Sequence, residues 1–129
     1  MTTENKVRKG IMKTLGGRTD VRIFRNNVGV AFQGEVAHES SGFITLEHYR
    51  RIRFGLYPGS GDLVGWKTIE ITPDMVGKKV AVFTSIETKK KRGRASDNQL
   101  HWAHQVSVSG GIAGIVRSTE QAVEIVDGY

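Results

Sequence analysis

A chain of 129 residues with 38% apolar and 25% charged side chains has the balance of one ordinary globular domain, far from that of a disordered or collagen-like chain. It has no cysteine, which excludes a disulfide scaffold, a thiolate zinc site and a cysteine nucleophile, so reactive chemistry must come from carboxylates, amines, hydroxyls or imidazoles. Nineteen Lys and Arg against 13 Asp and Glu leave a net charge of +6, which suits a polyanionic partner, although solubility alone would also account for it.

In chain order, Val7, Ile11, Met12 and Leu15 recur at helical spacing and Gly16-Gly17 supplies a stop, which predicts an amphipathic helix over 3–15. The first residues carry no apolar run of signal-peptide type and no segment reaches the roughly 20 apolar residues of a membrane span, so a soluble, cytoplasmic protein is expected. Three β-rich runs follow at 21–25, 30–33 and 43–46, broken by Asn26-Asn27-Val28-Gly29 and Ser40-Ser41-Gly42. After the basic stretch 50–53, residues 55–61 have loop composition and Asp62 opens a short strand to Trp66. Two more strands are expected at 68–72 and 79–89, linked by Pro73-Asp74-Met75-Val76-Gly77. Ser96-Asp97-Asn98-Gln99 is a helix-opening pattern, with Leu100, Ala103 and Val106 on one face. The run 112–116 suits a buried strand, and Ser118-Thr119-Glu120-Gln121 opens a last helix. The expectation is one α/β domain over 1–129: a helix, a mixed sheet, then helix, strand and helix. Trp66 and Trp102 read as packing residues.

In the strand 79–89, alternation puts Phe83, Ser85, Glu87 and Lys89 on one face and the β-branched Val80, Val82, Thr84, Ile86 and Thr88 on the other. The second set reads as core and the first as a strand leaving the core for a site. Glu87 and Lys89 equally read as a surface ion pair worth about 0–1 kcal/mol. Asp62, behind a glycine-rich loop, adds a second carboxylate; two carboxylates and a lysine are the hardware of phosphodiester hydrolysis, with hard oxygen ligands for Mg²⁺ or Mn²⁺ and a cation beside the attacking water.

Gly59-Ser60-Gly61-Asp62, then Glu87-Thr88-Lys89, then Gln99-Leu100-His101-Trp102 resemble the active-site motifs of the PD-(D/E)XK nucleases, and within them the VRR-NUC family, small versions of which occur in bacteriophages. The resemblance implies a restriction-endonuclease-like α/β core, a mixed sheet flanked by helices. It makes Asp62 and Glu87 metal ligands, the Thr88 carbonyl a third, and Lys89 the group that orients or activates water. Gln99 would lie near the phosphate or lysine, and Glu4 would close the ligand shell. Gly61 stands where the superfamily has its naming proline. The implied activity is a divalent-metal-dependent DNA endonuclease leaving 5′-phosphate and 3′-hydroxyl ends, selective for branched or Holliday-junction DNA and acting as a homodimer.

Lys90, Lys91, Arg92 and Arg94 follow the implied catalytic lysine and suit a grip on neighbouring phosphates, or a solvated loop. Arg51 and Arg53 fall on one strand face as a duplex-binding stripe. Arg25, Asn26 and Asn27 correspond to the family's Arg-Asn-rich segment, though the asparagines also suit a turn. Gln99 is equally the N3 partner of a capping box with Ser96, and Glu4 a carboxylate favoured by any helix N-terminus. His101 and His104 lack the company a zinc site needs. A non-catalytic nucleic-acid-binding module, with Glu87 and Lys89 paired structurally, and an assembly protein are the alternatives.

Overall fold

The computed structural model describes residues 3–129, and its first element follows from local chemistry. Thr3 caps helix α1 (Glu4–Gly16), its hydroxyl accepting the Lys6 amide at 3.3 Å, with Glu4 in the first turn and Lys13 in the last. Arg18 then forks onto Asp20 at 2.9 and 2.6 Å, and that hydrogen bond raises the guanidinium's already high pKa. Strand β1 (Val21–Arg25) packs beside α1 and pairs with β4 (Leu63–Lys67). Between them lies a long antiparallel hairpin, β2 (Gly29–Ser40) and β3 (Phe43–Phe54), turned at Ser41-Gly42, where Gly42 takes φ +84°. Its register shifts twice, between Gln33 and Glu35 and between Val36 and His38.

The chain divides into two compact units, one ending at Gly65 and one beginning at Trp66. In the second, a single 3-10 turn (Pro73–Met75) precedes β5 (Thr84–Thr88), helix α2 (Asp97–Val108), β6 (Ile112–Val116) and α3 (Thr119–Asp127). Strands β5 and β6 are parallel, as a helical crossover requires, in the register Thr84 with Ile112 to Thr88 with Val116. Val106, only 1% exposed, is buried with Ile112 and Val116 at the centre of this unit. Helix α3 lies so close to β6 that a Cβ on Gly114 would sit 2.4 Å from the Ile125 terminal methyl, so any larger residue there would make that side chain shift.

The three helices, β1 and β6 stand within a residue or two of their expected places, and β2 and β3 extend well beyond theirs. The strand 68–72 is absent, and 79–89 is a strand only from Thr84 to Thr88. β-propensity marks a backbone ready to extend, but a strand needs a ladder partner. Here β6 offers five residues, between the Gly110-Gly111 turn and the Ser118 cap, and the ladder reaches back only to the Phe83 carbonyl. Among the described residues the sheets are therefore three two-stranded ones, where a single mixed sheet was expected. The expected core face is also reversed. Ser85, Glu87 and Lys89 are half-buried, whereas Thr84, Ile86 and Thr88 are exposed, because α2 bonds to Ser85 and Glu87 while α3 packs on β6. No helix among the described residues is long and apolar enough to cross a membrane.

Candidate active site

The chemistry-bearing residues of the C-terminal unit converge on one carboxylate oxygen. Glu87 and Lys89 share a face of β5, and Lys89 Nζ stands 3.4 Å from Glu87 Oε1. Gln99 Nε2 donates to the same oxygen at 2.8 Å. The Gln99 amide thus serves both roles open in the sequence: its Oε1 accepts the Ser96 backbone N–H at 2.9 Å, completing the capping box, while its nitrogen reaches Glu87. A short helix-opening motif thereby fixes a carboxylate on the neighbouring strand. Trp102, one turn along α2, donates its indole N–H to Ser85 Oγ at 2.8 Å and stacks edge-on with Trp66 and Phe83 at centroid distances of 5.9 and 6.3 Å. A cleft of about 320 Å³ opens here, lined by Ser85, Glu87, Asn98, Gln99, Trp102 and Ala103. Ser85 and Asn98 are new to the site; as a small polar residue in a β-run and a generic first-turn residue they carry no sequence signal.

Both contacts to Glu87 fall on Oε1, which leaves Oε2 open among the described residues. The Phe83 carbonyl and the Lys89 amide both bond to β6, so alternation turns the Thr88 carbonyl to the opposite edge of β5, where no described strand pairs. A hard carboxylate oxygen and a backbone carbonyl next to a lysine fit Mg²⁺ or Mn²⁺ in donor type. Among the described residues no three His, Cys, Asp or Glu side chains form a ready-made metal cluster.

The basic run turns away from β5 at once, with Gly93 N–H bonded to Lys90 O at 2.9 Å and the Gly93 carbonyl held by Arg117 at 2.7 Å. Lys90, Lys91, Arg92 and Arg94 are exposed and free of carboxylates among the described residues. Arg117 is a further residue that sequence reasoning passed over, at the end of a buried strand and far along the chain from the turn it anchors.

Family comparison agrees with the family resemblance that these motifs carry. A model of the VRR-NUC domain matches residues 47–120, more than half of the chain. The chain belongs to the VRR-NUC family. As a VRR-NUC domain it is a nuclease with DNA as its substrate, and its α/β fold is of the restriction-endonuclease-like kind. Comparison with curated proteins and with solved structures gives no match. The VRR-NUC match runs from β3 into α3 and includes Asp62, Glu87, Thr88, Lys89, Gln99, the basic run, Arg51 and Arg53; Glu4, Arg25, Asn26 and Asn27 lie outside it.

In the N-terminal unit, Asp62 closes the glycine-rich loop with its side chain exposed and free of partners among the described residues. Asn26 organises that loop. Its Nδ2 donates to Ser60 Oγ at 2.7 Å and to the Gly61 carbonyl at 2.9 Å, its Oδ1 accepts the Leu56 amide at 3.0 Å, and its own N–H bonds to the Asp62 carbonyl at 2.8 Å. Gly55 lets the loop approach: it takes φ +83°, and a Cβ there would lie 2.1 Å from the Asn27 carbonyl oxygen. Arg25 ends β1, Asn27 lies in the β1–β2 connection, and Glu4 occupies the first turn of α1, exposed.

Gln99→Glu separates the two jobs of that amide. Glutamate at N3 still completes the capping box, but it removes the donor to Glu87 and sets a second carboxylate against it. Cleavage is expected to fall about 10²-fold with helix content unchanged by circular dichroism. Retention of full activity would leave Gln99 with a capping role alone.

Proposed function

We propose that this VRR-NUC nuclease is a divalent-metal-dependent endonuclease that selects branched DNA, and that Glu87, Lys89 and Gln99 are its reacting cluster. The convergence of Lys89 and Gln99 on one oxygen of a half-exposed Glu87 carries the reading, since it holds the carboxylate still with its other oxygen open. Glu87 and the Thr88 carbonyl would hold Mg²⁺ or Mn²⁺, with Asp62 and Glu4 the further ligands that the family resemblance suggests. Bound there, the ion would supply Lewis acidity toward the phosphate and ease deprotonation of the attacking water.

The protein's own share is positioning and charge. Lys89, next to Glu87, orients the water and offsets negative charge that develops on the phosphate. Gln99 fixes the carboxylate so that no reorganisation is needed during the reaction. Lys90, Lys91, Arg92 and Arg94 grip phosphates beside the scissile one, with Arg25, Asn27, Arg51 and Arg53 as further backbone contacts in a salt-dependent, sequence-independent mode. Cutting both strands of a branched substrate needs two sites in symmetric relation, which a C2 dimer of this small chain supplies.

The test is cleavage of labelled duplex, flap, single-stranded and four-way-junction DNA with Mg²⁺, Mn²⁺ or EDTA. Cutting in either metal, none in EDTA and a preference for the flap or junction are expected, with light scattering giving twice the chain mass. Cutting that ignores the chelator would remove the metal from this reading, and binding of every substrate without cutting would make the domain a non-catalytic binding module.

A further inference from the structure

The β2–β3 hairpin presents a second surface, wholly within the N-terminal unit. Its register sets Phe32 opposite Arg51 and Val30 opposite Arg53, and alternation puts these four side chains on one face. On the other face Ala31 and Ile52 are half-buried, and Arg50 is committed to Gln33 Oε1 at 2.9 and 2.6 Å. The first face is open. Phe32 is 58% and Tyr49 64% exposed, and their rings meet edge to face at 5.9 Å and 71°. Tyr49 lies on this face by alternation with Arg51 and Arg53, and just beyond it the register shift after Gln33 puts an extra residue into β3, with His48 in the left-handed region at φ +49°. Arg51 and Arg53 have no hydrogen bond or ion pair among the described residues.

Two exposed rings set beside two free guanidiniums match a single-stranded polyanion with flat, stackable groups. Contact with a second copy fits less well: a two-fold interface would crowd the cations of both copies into a shared apolar patch at a desolvation cost, whereas phosphates neutralise them. We propose that this face binds unpaired nucleotides of the DNA substrate, Phe32 and Tyr49 stacking on bases and Arg51 and Arg53 holding the adjoining phosphates. It rests on DNA being the substrate and is independent of how the bond is cut.

The experiment is anisotropy binding of the full chain to a labelled oligothymidylate and to a blunt duplex of equal length, in EDTA so that nothing is cleaved. Phe32→Leu with Tyr49→Leu keeps the apolar bulk, removes the stacking faces, and is expected to weaken oligothymidylate binding about tenfold or more while changing duplex binding less than about twofold. Arg51→Ala with Arg53→Ala is expected to weaken both and flatten the salt dependence. Photocrosslinking of wild-type protein to iodouracil-substituted single strands needs no variant and is expected to label Phe32 or Tyr49. Crosslinks only elsewhere, or wild-type oligothymidylate affinity in the leucine variant, would overturn the proposal. Loss of the dimer in that variant would also overturn it and give the face to a second copy. Crosslinking here with cutting in EDTA would sink the metal-dependent reading alone, while metal-dependent cutting without crosslinks here would sink only this one.

Discussion

Lys89→Ala is expected to lower cleavage of the preferred substrate by about 10²–10³-fold while changing stability by no more than about 1 kcal/mol. The two numbers come from different physics. The Lys89–Glu87 pair spans 3.4 Å with the lysine side chain 21% and the glutamate 41% exposed, so solvent screens much of its Coulombic contribution to folding. At a phosphate in the transition state the same ammonium meets charge that the unfolded or resting protein never presents, and its effect there is not screened in the same way. Rates from single-turnover cleavage and midpoints from urea unfolding measure the two sides. Lys89→Arg keeps the charge but replaces a compact ammonium by a planar fork, so partial activity is expected. A Lys89→Ala enzyme that cuts within a few-fold of wild type would return Lys89 to the role of a surface ion-pair partner.

Asn26→Ala should act in the opposite way, through the fold. Three side-chain hydrogen bonds, to Ser60, Gly61 and Leu56, disappear together, at about 2 kcal/mol in all given their partial exposure, or roughly 5–10 °C in Tm. The loop before Asp62 then loses its anchor, and cleavage should fall with it. Ser60→Ala, which removes one of the three, is expected to cost less than about 1 kcal/mol. The comparison also distinguishes two roles for Asn26. A direct DNA contact would lose affinity at unchanged Tm, whereas a residue that shapes the loop lowers Tm first, and calorimetry beside anisotropy separates them.

These expectations mark how far the sequence reaches. Helix boundaries were legible because they are local: Thr3, Ser96 and Ser118 each cap a helix with a side chain a few residues from its partner. The placing of Glu87 and Lys89 on one face was legible because alternation is a property of the strand itself. The order Gly-Ser-Gly-Asp, Glu-x-Lys, Gln was enough to point to the VRR-NUC family, which the family comparison confirms over residues 47–120.

Tertiary structure decided whatever depended on a distant partner. Extended segments at 68–72 and 79–83 have strand composition, yet only Thr84–Thr88 found a ladder, since β6 ends after five residues. Which face of β5 was covered followed from where α2 bonds, and that put Ser85 and Glu87 against the helix and left Ile86 outside. Gln99 was both cap and carboxylate anchor, because an amide has a donor and an acceptor and the fold gave each its own partner. Asn26 bridges 30 to 35 positions along the chain to Leu56, Ser60 and Gly61. Hydrogen bonds of such span leave no periodicity or spacing in a sequence, so the chemistry of this protein could be read from its order of residues and its geometry could not.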